Sequence, residues 1–516
     1  MPAGLAQPMN IATKQTPARL RVGGGVLPSA WADRVALLIG AVAFARIAIA
    51  GATGLSDTEA YYAQWSRFPA LSYYDHPPLV AWTTWLVQRI TSEPWAVRLG
   101  PVLYAAAFGV LLYRLGARLF SPRAGFWAVA IVAAIPVFDF VGFLLNPEGL
   151  LAPLWILILL LLGDLRDHDE PWRPLALGAV IGVAFLAKYT AILAVPVAVA
   201  YVAGSPSTRR WLRRPSFYAA GGIALAIASP VIAWNYAHHW PSLQLHLAER
   251  MVRPASEGLG RAFLRVGVGQ ITLFHPLILP ALVALLVYAV RRARRDERYR
   301  LLATASLPVL AFLLFVMVRA ADSEPHWTMV AYAPLAVVAG GVLDESTGRL
   351  RRFAGLWLRA SLFFSAALWA LYLVHLRSPV LMNAFPSYDP NADPYTETIG
   401  WDRVSAAVHS HAATLGPGTV VAGAHNVLCG HVQAALDDSP AVYCPSPRRT
   451  EYDFVGRRSP PVDLPVVFVD SSRYPADTSL ALPHHRCVHA EDVEVERAGH
   501  LLARYGIHEC RPEGEP

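Results

Sequence analysis

Long apolar runs separated by short polar stretches dominate the first three quarters of this chain, and a bilayer crossing needs roughly 20 such residues. Runs of that kind fall near 32–52, 95–115, 124–145, 147–163, 173–188, 189–204, 216–236, 266–290, 301–319, 327–343 and 354–376. By hydropathy this predicts about eleven transmembrane helices. Lys188-Tyr189 interrupts an apolar run too long for one helix and reads as a tight turn between two spans. Beyond about Arg377 the long runs stop, while Pro, Asp and His rise. Residues 382–398 read as a linker rich in Pro, Asn and Asp. Val420-Val421-Ala422 and Pro465-Val466-Val467-Phe468-Val469 read as short buried strands, and 401–415, with Trp401 and Val404, as a helix. The expected fold is a polytopic α-helical membrane protein with a C-terminal extracytoplasmic α/β domain. Residues 1–30 form a cytoplasmic tail in this reading, 31–376 the transmembrane domain with its outer loops, and 377–516 the α/β domain.

Composition agrees with the pattern. The 516 residues are 55% hydrophobic and 16% charged, whereas about a quarter of a soluble domain is charged, and mean hydropathy is +0.37. A net charge of +7 raises the question of nucleic acid, but the arginines lie in short clusters between apolar spans. Every second connection carries them: Arg114, Arg118 and Arg123; Arg166 and Arg173; Arg209 to Arg214; Arg291 to Arg300; Arg349 to Arg352. That spacing predicts cytoplasmic loops on an anionic leaflet and excludes nucleic acid as the partner. Met1 to Ser29 has no apolar core, so it does not read as a cleaved signal peptide. An odd number of crossings puts the C-terminal domain outside, and all four cysteines, Cys429, Cys444, Cys487 and Cys510, fall there. An oxidising compartment suits them. Four cysteines allow three pairings, and the neighbour pairs 429 with 444 and 487 with 510 are the expected ones.

The alternate, arginine-poor connections hold the candidate chemistry. Ser56-Asp57-Thr58-Glu59-Ala60-Tyr61-Tyr62 runs on to Tyr73-Tyr74-Asp75-His76-Pro77-Pro78-Leu79, and later connections add Asn146-Pro147-Glu148, Lys188-Tyr189 and Asp322-Ser323-Glu324-Pro325-His326. Taken singly, each has an ordinary role: Asp57 or Thr58 as a helix cap, Asp75 in a turn, Glu148 against a helix dipole, Lys188 reaching for headgroups, His326 and Trp327 as interface anchors. Together they place Asp57, Glu59, Asp75, His76, Glu148, Lys188, Glu324 and His326 at one depth, where ionisable groups normally face a wet cavity. Mixed acids and cations there suit proton removal from an acceptor hydroxyl while cations hold a departing phosphate.

Glu59-Ala60-Tyr61-Tyr62 with Trp65-Ser66, then Tyr73-Tyr74-Asp75-His76-Pro77-Pro78-Leu79-Val80-Ala81-Trp82, resembles the first outer loop of glycosyltransferase family 39. This is the GT-C group that includes protein O-mannosyltransferases and the aminoarabinose and galacturonic acid transferases of lipid A. Asn146 to Leu151, Ala187 to Ala191, Ser229 to Asn235 with His239-Trp240, and Ser323 to Trp327 resemble the same family in order, as do Ala441-Val442-Tyr443 and Glu451 to Phe454 in the tail. The resemblance implies transfer of a sugar from a polyprenyl-phosphate carrier to a hydroxyl or phosphate acceptor on lipid A, a glycan or a protein, at the outer face of the bacterial inner membrane.

The family usually has adjacent Asp-Glu before Ala-Tyr-Tyr. Here Thr58 stands at the Asp position and Asp57 one earlier, so Asp57, or else Glu59, is the expected catalytic base. His76 stands where some relatives carry a phosphate-binding Lys. His76, Lys188 and arginines such as Arg250 or Arg253 are expected to hold the carrier phosphate, with Tyr61, Tyr62, Tyr189 and Trp327 shaping the groove and Asp75 orienting His76. Asp75, His76, Glu148 and His326 raise the question of a divalent metal, but no short-range ligand motif exists, and no cofactor is expected. The rival reading is a transporter or lipid flippase. It requires binding residues at the midplane of matched halves, for which Asp139 and His275 are the main candidates.

Overall fold

The computed structural model describes residues 30–91, 93–249, 258–320, 323–384, 388–390, 393–436 and 439–514. Arg250, Arg253 and Asp322 lie outside them. Most described residues up to Arg377 are helical, and among the described residues six helices are long and apolar enough to cross a bilayer: Pro94–Leu119, Pro147–Asp167, Pro215–Ala237, Glu297–Arg319, Pro325–Glu345 and Arg351–Arg377. Leu259–Phe274 and Ile278–Ala293 form a pair bent by 101° that adds a seventh if taken as one span. This is a multi-pass membrane protein.

The expected count of eleven is not confirmed, and local breaks account for part of the difference. The run 124–145 is two helices, Pro122–Val132 and Pro136–Val141, because a proline lacks the N–H an uninterrupted helix needs and starts a new one readily. The run 266–290 is bent at His275-Pro276 in the same way. Lys188 does end a helix, Trp172–Ala187, but that helix and Ala194–Gly204 are both shorter than a span.

Burial sorts the spans into layers. Pro325–Glu345 and Pro147–Asp167 are 78% and 72% buried, whereas Pro215–Ala237 and Arg351–Arg377 are each 17% buried. A helix that is apolar all round and little covered by protein presents its remaining surface to lipid. The central pair therefore forms the scaffold from whose ends the outer residues project.

Between the N-terminal helix Ala30–Ala50 and the span Pro94–Leu119 lie two short helices, Asp57–Trp65 and Leu79–Gln88. The C-terminal domain packs beside them. Its sheet has β1 (Val420–Gly423), β2 (Val442–Tyr443), β3 (Val466–Ser471), β4 (His485–Arg497) and β5 (His500–Pro512), in the order β2-β1-β3-β5-β4. β1 pairs parallel with β2 and β3, while β5 runs antiparallel to β3 and β4. The strands expected at 420–422 and 465–469 and the helix at 401–415 are present, as Val420–Gly423, Val466–Ser471 and Trp401–Leu415. The hairpin β4–β5 was not expected. Its charged strands, of which β4 is the more exposed, lack the apolar run that marked β1 and β3, and its turn is Ala498-Gly499, with φ of 52° and 79°. The cysteines pair as 429 with 444 and 487 with 510.

Candidate active site

A cavity of about 990 Å³ is walled by the membrane helices, the first outer loop and one residue of the C-terminal domain, Arg448. Its wall combines two chemistries. Ile192, Leu193, Val231, Ile232, Leu247, Leu273, Phe312, Leu313 and Val316 are apolar; Thr58, Tyr62, His76, Asn146, Glu148, Lys188, Tyr189, Asn235, Ser242, His246, Glu324, His326, Trp327 and Arg448 are polar or amphipathic.

Glu148 anchors the polar wall. Asn146, in extended backbone, accepts the Gly149 N–H at 2.8 Å, and Pro147 occupies the first helical position. Glu148 thus stands in the first turn of Pro147–Asp167, where the helix dipole favours an anion. It is 4% exposed, and a carboxylate so buried requires charged partners. Both come from distant segments and share Oε1: Lys188 Nζ forms an ion pair with it, and His326 Nε2 lies 2.9 Å away. Lys188 sits where Trp172–Ala187 ends, in extended backbone, and its Nζ lies 5.7 Å from the Trp327 ring centroid. The turn Pro325–Thr328 brings His326 and Trp327 together, with exposed Glu324 at its start.

Aromatic rings form the facing part. His76 lies 5.7 Å from the Tyr62 ring and 6.1 Å from His246. Tyr189 stands 5.1 Å from His246. His246 Nε2 is 2.8 Å from the Asp75 carbonyl oxygen; since a carbonyl only accepts, that nitrogen carries the proton. The Asp75 carboxylate accepts the Tyr61 hydroxyl at 2.7 Å, and this hydroxyl in turn accepts the Glu451 N–H at 3.0 Å. Burial, and then the Asp75 charge, hold the Tyr61 phenol well above its ordinary pKa. Tyr61 and Asp75 therefore support the wall from behind, fixing the backbone on which His76 and His246 stand.

The two expected bases, Asp57 and Glu59, are not among the residues that line this cavity. Ser56, not Asp57, caps the helix, with Glu59 returning a bond to the Ser56 N–H to close a capping box. The box fixes the helical phase, and at 3.6 residues per turn successive side chains point roughly 100° apart. Thr58 consequently faces the cavity, while its neighbours turn away. Glu59 is fully buried: Arg98 grips it through Nε at 2.8 Å and Nη2 at 2.6 Å, and the Leu145 N–H donates at 3.2 Å. Asp57 meets the C-terminal domain, with His431 Nε2 at 3.0 Å and Arg473 Nη1 at 3.1 Å, while its N–H donates to Glu397 at 3.1 Å. Burial, then the Asp57 charge, raises the Glu397 pKa.

Of the remaining expected residues, Tyr62, His76, Glu148, Lys188, Tyr189, Glu324, His326 and Trp327 all reach the cavity. Thr58, His246 and Arg448 were missed. Thr58 was visible only once the helical phase was known; His246 and Arg448 sit in stretches whose local sequence marks nothing. Among the described residues no group of three or more His, Cys, Asp or Glu side chains is arranged to hold a metal ion. Asp139 is closed by Arg46 at 2.7 Å and Trp369 at 3.1 Å, and His275 is a buried helix break; neither lines this cavity.

Comparison with known proteins follows the same lines. A sequence profile of the family described as dolichyl-phosphate-mannose-protein mannosyltransferase matches residues 75–234. The chain is 25% identical over 271 residues to the lipid A galacturonosyltransferase RgtD of Rhizobium johnstonii, a match covering 50% of this chain and 54% of that protein. It thus spans about half the length of that curated relative. Two solved structures share the fold. ArnT from Cupriavidus metallidurans bound to undecaprenyl phosphate has a TM-score of 0.63 at 16% identity, covering 95% of this chain and all of the other. The apo form gives 0.61 at 18%, over 92% and 98% of the two chains. Over nearly its whole length this chain therefore has the fold of the two ArnT structures, and part of its sequence is similar to the mannosyltransferase family and to RgtD.

Proposed function

We propose that the protein transfers a sugar from a polyprenyl-phosphate carrier to a hydroxyl or phosphate acceptor at the extracytoplasmic face of the membrane. The observation that carries this reading is the double character of the cavity wall. Aliphatic and phenyl side chains suit a prenyl chain, and the Glu148–Lys188–His326 cluster with His76 suits a phosphate at its end. The ArnT structure that holds undecaprenyl phosphate supports the carrier class, and the name of RgtD, a lipid A galacturonosyltransferase, supports a glycolipid acceptor.

In this mechanism Lys188 and His326 donate to the phosphate as negative charge develops on it, and His76 adds a third donor from the facing wall. Glu148 holds both cations at their seats through Oε1. Its other oxygen accepts the hydrogen bond of an acceptor hydroxyl and orients it toward the anomeric carbon, the role assigned from sequence to Asp57 or Glu59. Trp327, beside Lys188, and Tyr62, beside His76, flank the sugar. A transporter has no comparable support, since Asp139 and His275 are both packed away from the cavity.

The test uses purified protein, a polyprenyl-phosphate sugar labelled in the sugar, and a membrane lipid extract as acceptor. Lys188→Ala and Glu148→Gln are expected to lower the transfer rate by about 10²-fold or more. Wild-type rates in both variants would end the reading.

A further inference from the structure

The membrane helices do not complete the cavity. Its only arginine among the described residues, Arg448, belongs to the C-terminal domain. Its surroundings distinguish it from the other cavity cations. Lys188 is neutralised by Glu148. His76, His246 and His326 are imidazoles, which lack the two-pronged N–H fork of a guanidinium. Arg448 is permanently charged and exposed, and no carboxylate among the described residues forms an ion pair with it. Its planar guanidinium matches two oxygens of one phosphate.

The segment that carries it is held firmly from both sides. On one side Cys444 is tied to Cys429 by a disulfide, and its N–H donates to Arg457 O at 2.8 Å. The Arg448 N–H itself donates to Ser446 Oγ at 3.3 Å. On the other side Glu451 is buried against the first outer loop, its N–H on Tyr61 Oη and its Oε2 on the Tyr74 N–H at 2.6 Å. Phe454 then inserts its ring 5.2 Å from Trp234 and 5.5 Å from Tyr74. Arg448 therefore projects from a strap stapled to the same loop that bears His76, and its position relative to the membrane helices is set before any ligand arrives.

We infer that Arg448 is an anion-binding residue of the cavity, supplied by the C-terminal domain to hold the phosphate of a lipid headgroup. The inference rests on the reading of the cavity given above. Two lipids bring a phosphate of this kind, the polyprenyl-phosphate donor and a phosphorylated glycolipid acceptor, and the same contact serves either.

The experiment titrates full-length detergent-solubilised protein with a sugar-free polyprenyl phosphate, and separately with a phosphorylated glycolipid, following tryptophan fluorescence. Arg448→Ala is expected to weaken binding of at least one probe by roughly ten- to hundred-fold, the loss typical of a charge-assisted hydrogen bond. Arg448→Lys should recover part of it. Arg449→Ala, the neighbouring arginine outside the cavity wall, should bind as wild type does. Loss confined to the first probe assigns Arg448 to the donor, and loss confined to the second assigns it to the acceptor. Wild-type affinity of Arg448→Ala for both probes, with an unchanged melting temperature, would overturn the proposal. A wild-type protein that binds neither probe would instead overturn the reading of the cavity, and this proposal with it.

Discussion

Glu451 sits at the seam between the first outer loop and the C-terminal domain, and burial holds its carboxyl well above its ordinary pKa, with the Asp75 and Asp453 charges adding to the effect. The folded chain therefore keeps this proton to a higher pH than the unfolded chain does. Stability from this group is complete below the ordinary carboxylate value and is lost as pH rises through the folded value. Glu451→Gln keeps an acceptor for the Tyr74 N–H and removes the titration. It is expected to melt at or above the wild-type temperature at pH 8, with a smaller fall between pH 5 and pH 8. Glu451→Ala leaves that buried N–H unpaired and should cost about 1–3 kcal/mol. Melting curves of the three proteins at several pH values check this; equal pH slopes for wild type and Glu451→Gln would rule it out. The residue was visible in the sequence only as part of a family-like Glu-Tyr-Asp-Phe stretch. Its task depends on Tyr61 and Tyr74, nearly 400 residues earlier in the chain.

At the scale of elements, the helix Asp57–Trp65 was legible as to existence but not as to direction. Ser56 and Glu59 spell a capping box, yet which of Asp57, Thr58 and Glu59 meets the cavity depends on what the helix packs against. That partner is the helix Asn426–Leu436, and the two approach closely at Gly430. A Cβ there would lie 2.9 Å from the Ala60 carbonyl carbon and 3.0 Å from the Tyr61 nitrogen. Those are backbone atoms, which yield only if the helix moves. Gly430→Ala is therefore expected to cost about 1–3 kcal/mol and to lower sugar transfer more than Gly222→Ala, in the helix Pro215–Ala237 where a Cβ meets nothing within 4 Å. Equal transfer by the two variants would show that the helix contact does not position the wall. The hairpin β4–β5 went unseen for a related reason: its pairing with β3 is non-local, and one of its faces is solvated.

For the whole molecule, the alternation of arginine-rich and arginine-poor connections predicts an extracytoplasmic placement of the cavity and the C-terminal domain. Cysteines introduced at Arg291, in a basic connection, and at exposed Val462, in the C-terminal domain, test this orientation. A maleimide that cannot cross the inner membrane should label Val462→Cys in spheroplasts, and Arg291→Cys only after lysis. The reverse pattern would invert the topology. The native cysteines are paired in two disulfides and do not compete for the label.

Sequence alone determined that the chain is a helical membrane protein with a small C-terminal α/β domain, and which family the first loop resembles. These are local properties: apolar length, charge spacing and short motifs are complete within a few residues. Only the tertiary structure decided which of Asp57, Thr58 and Glu59 faces the cavity, because they differ by no more than a rotation about one helix axis. It also decided that a residue from the far end of the chain closes the site, since Arg448 acquires its place through contacts that a linear pattern does not contain.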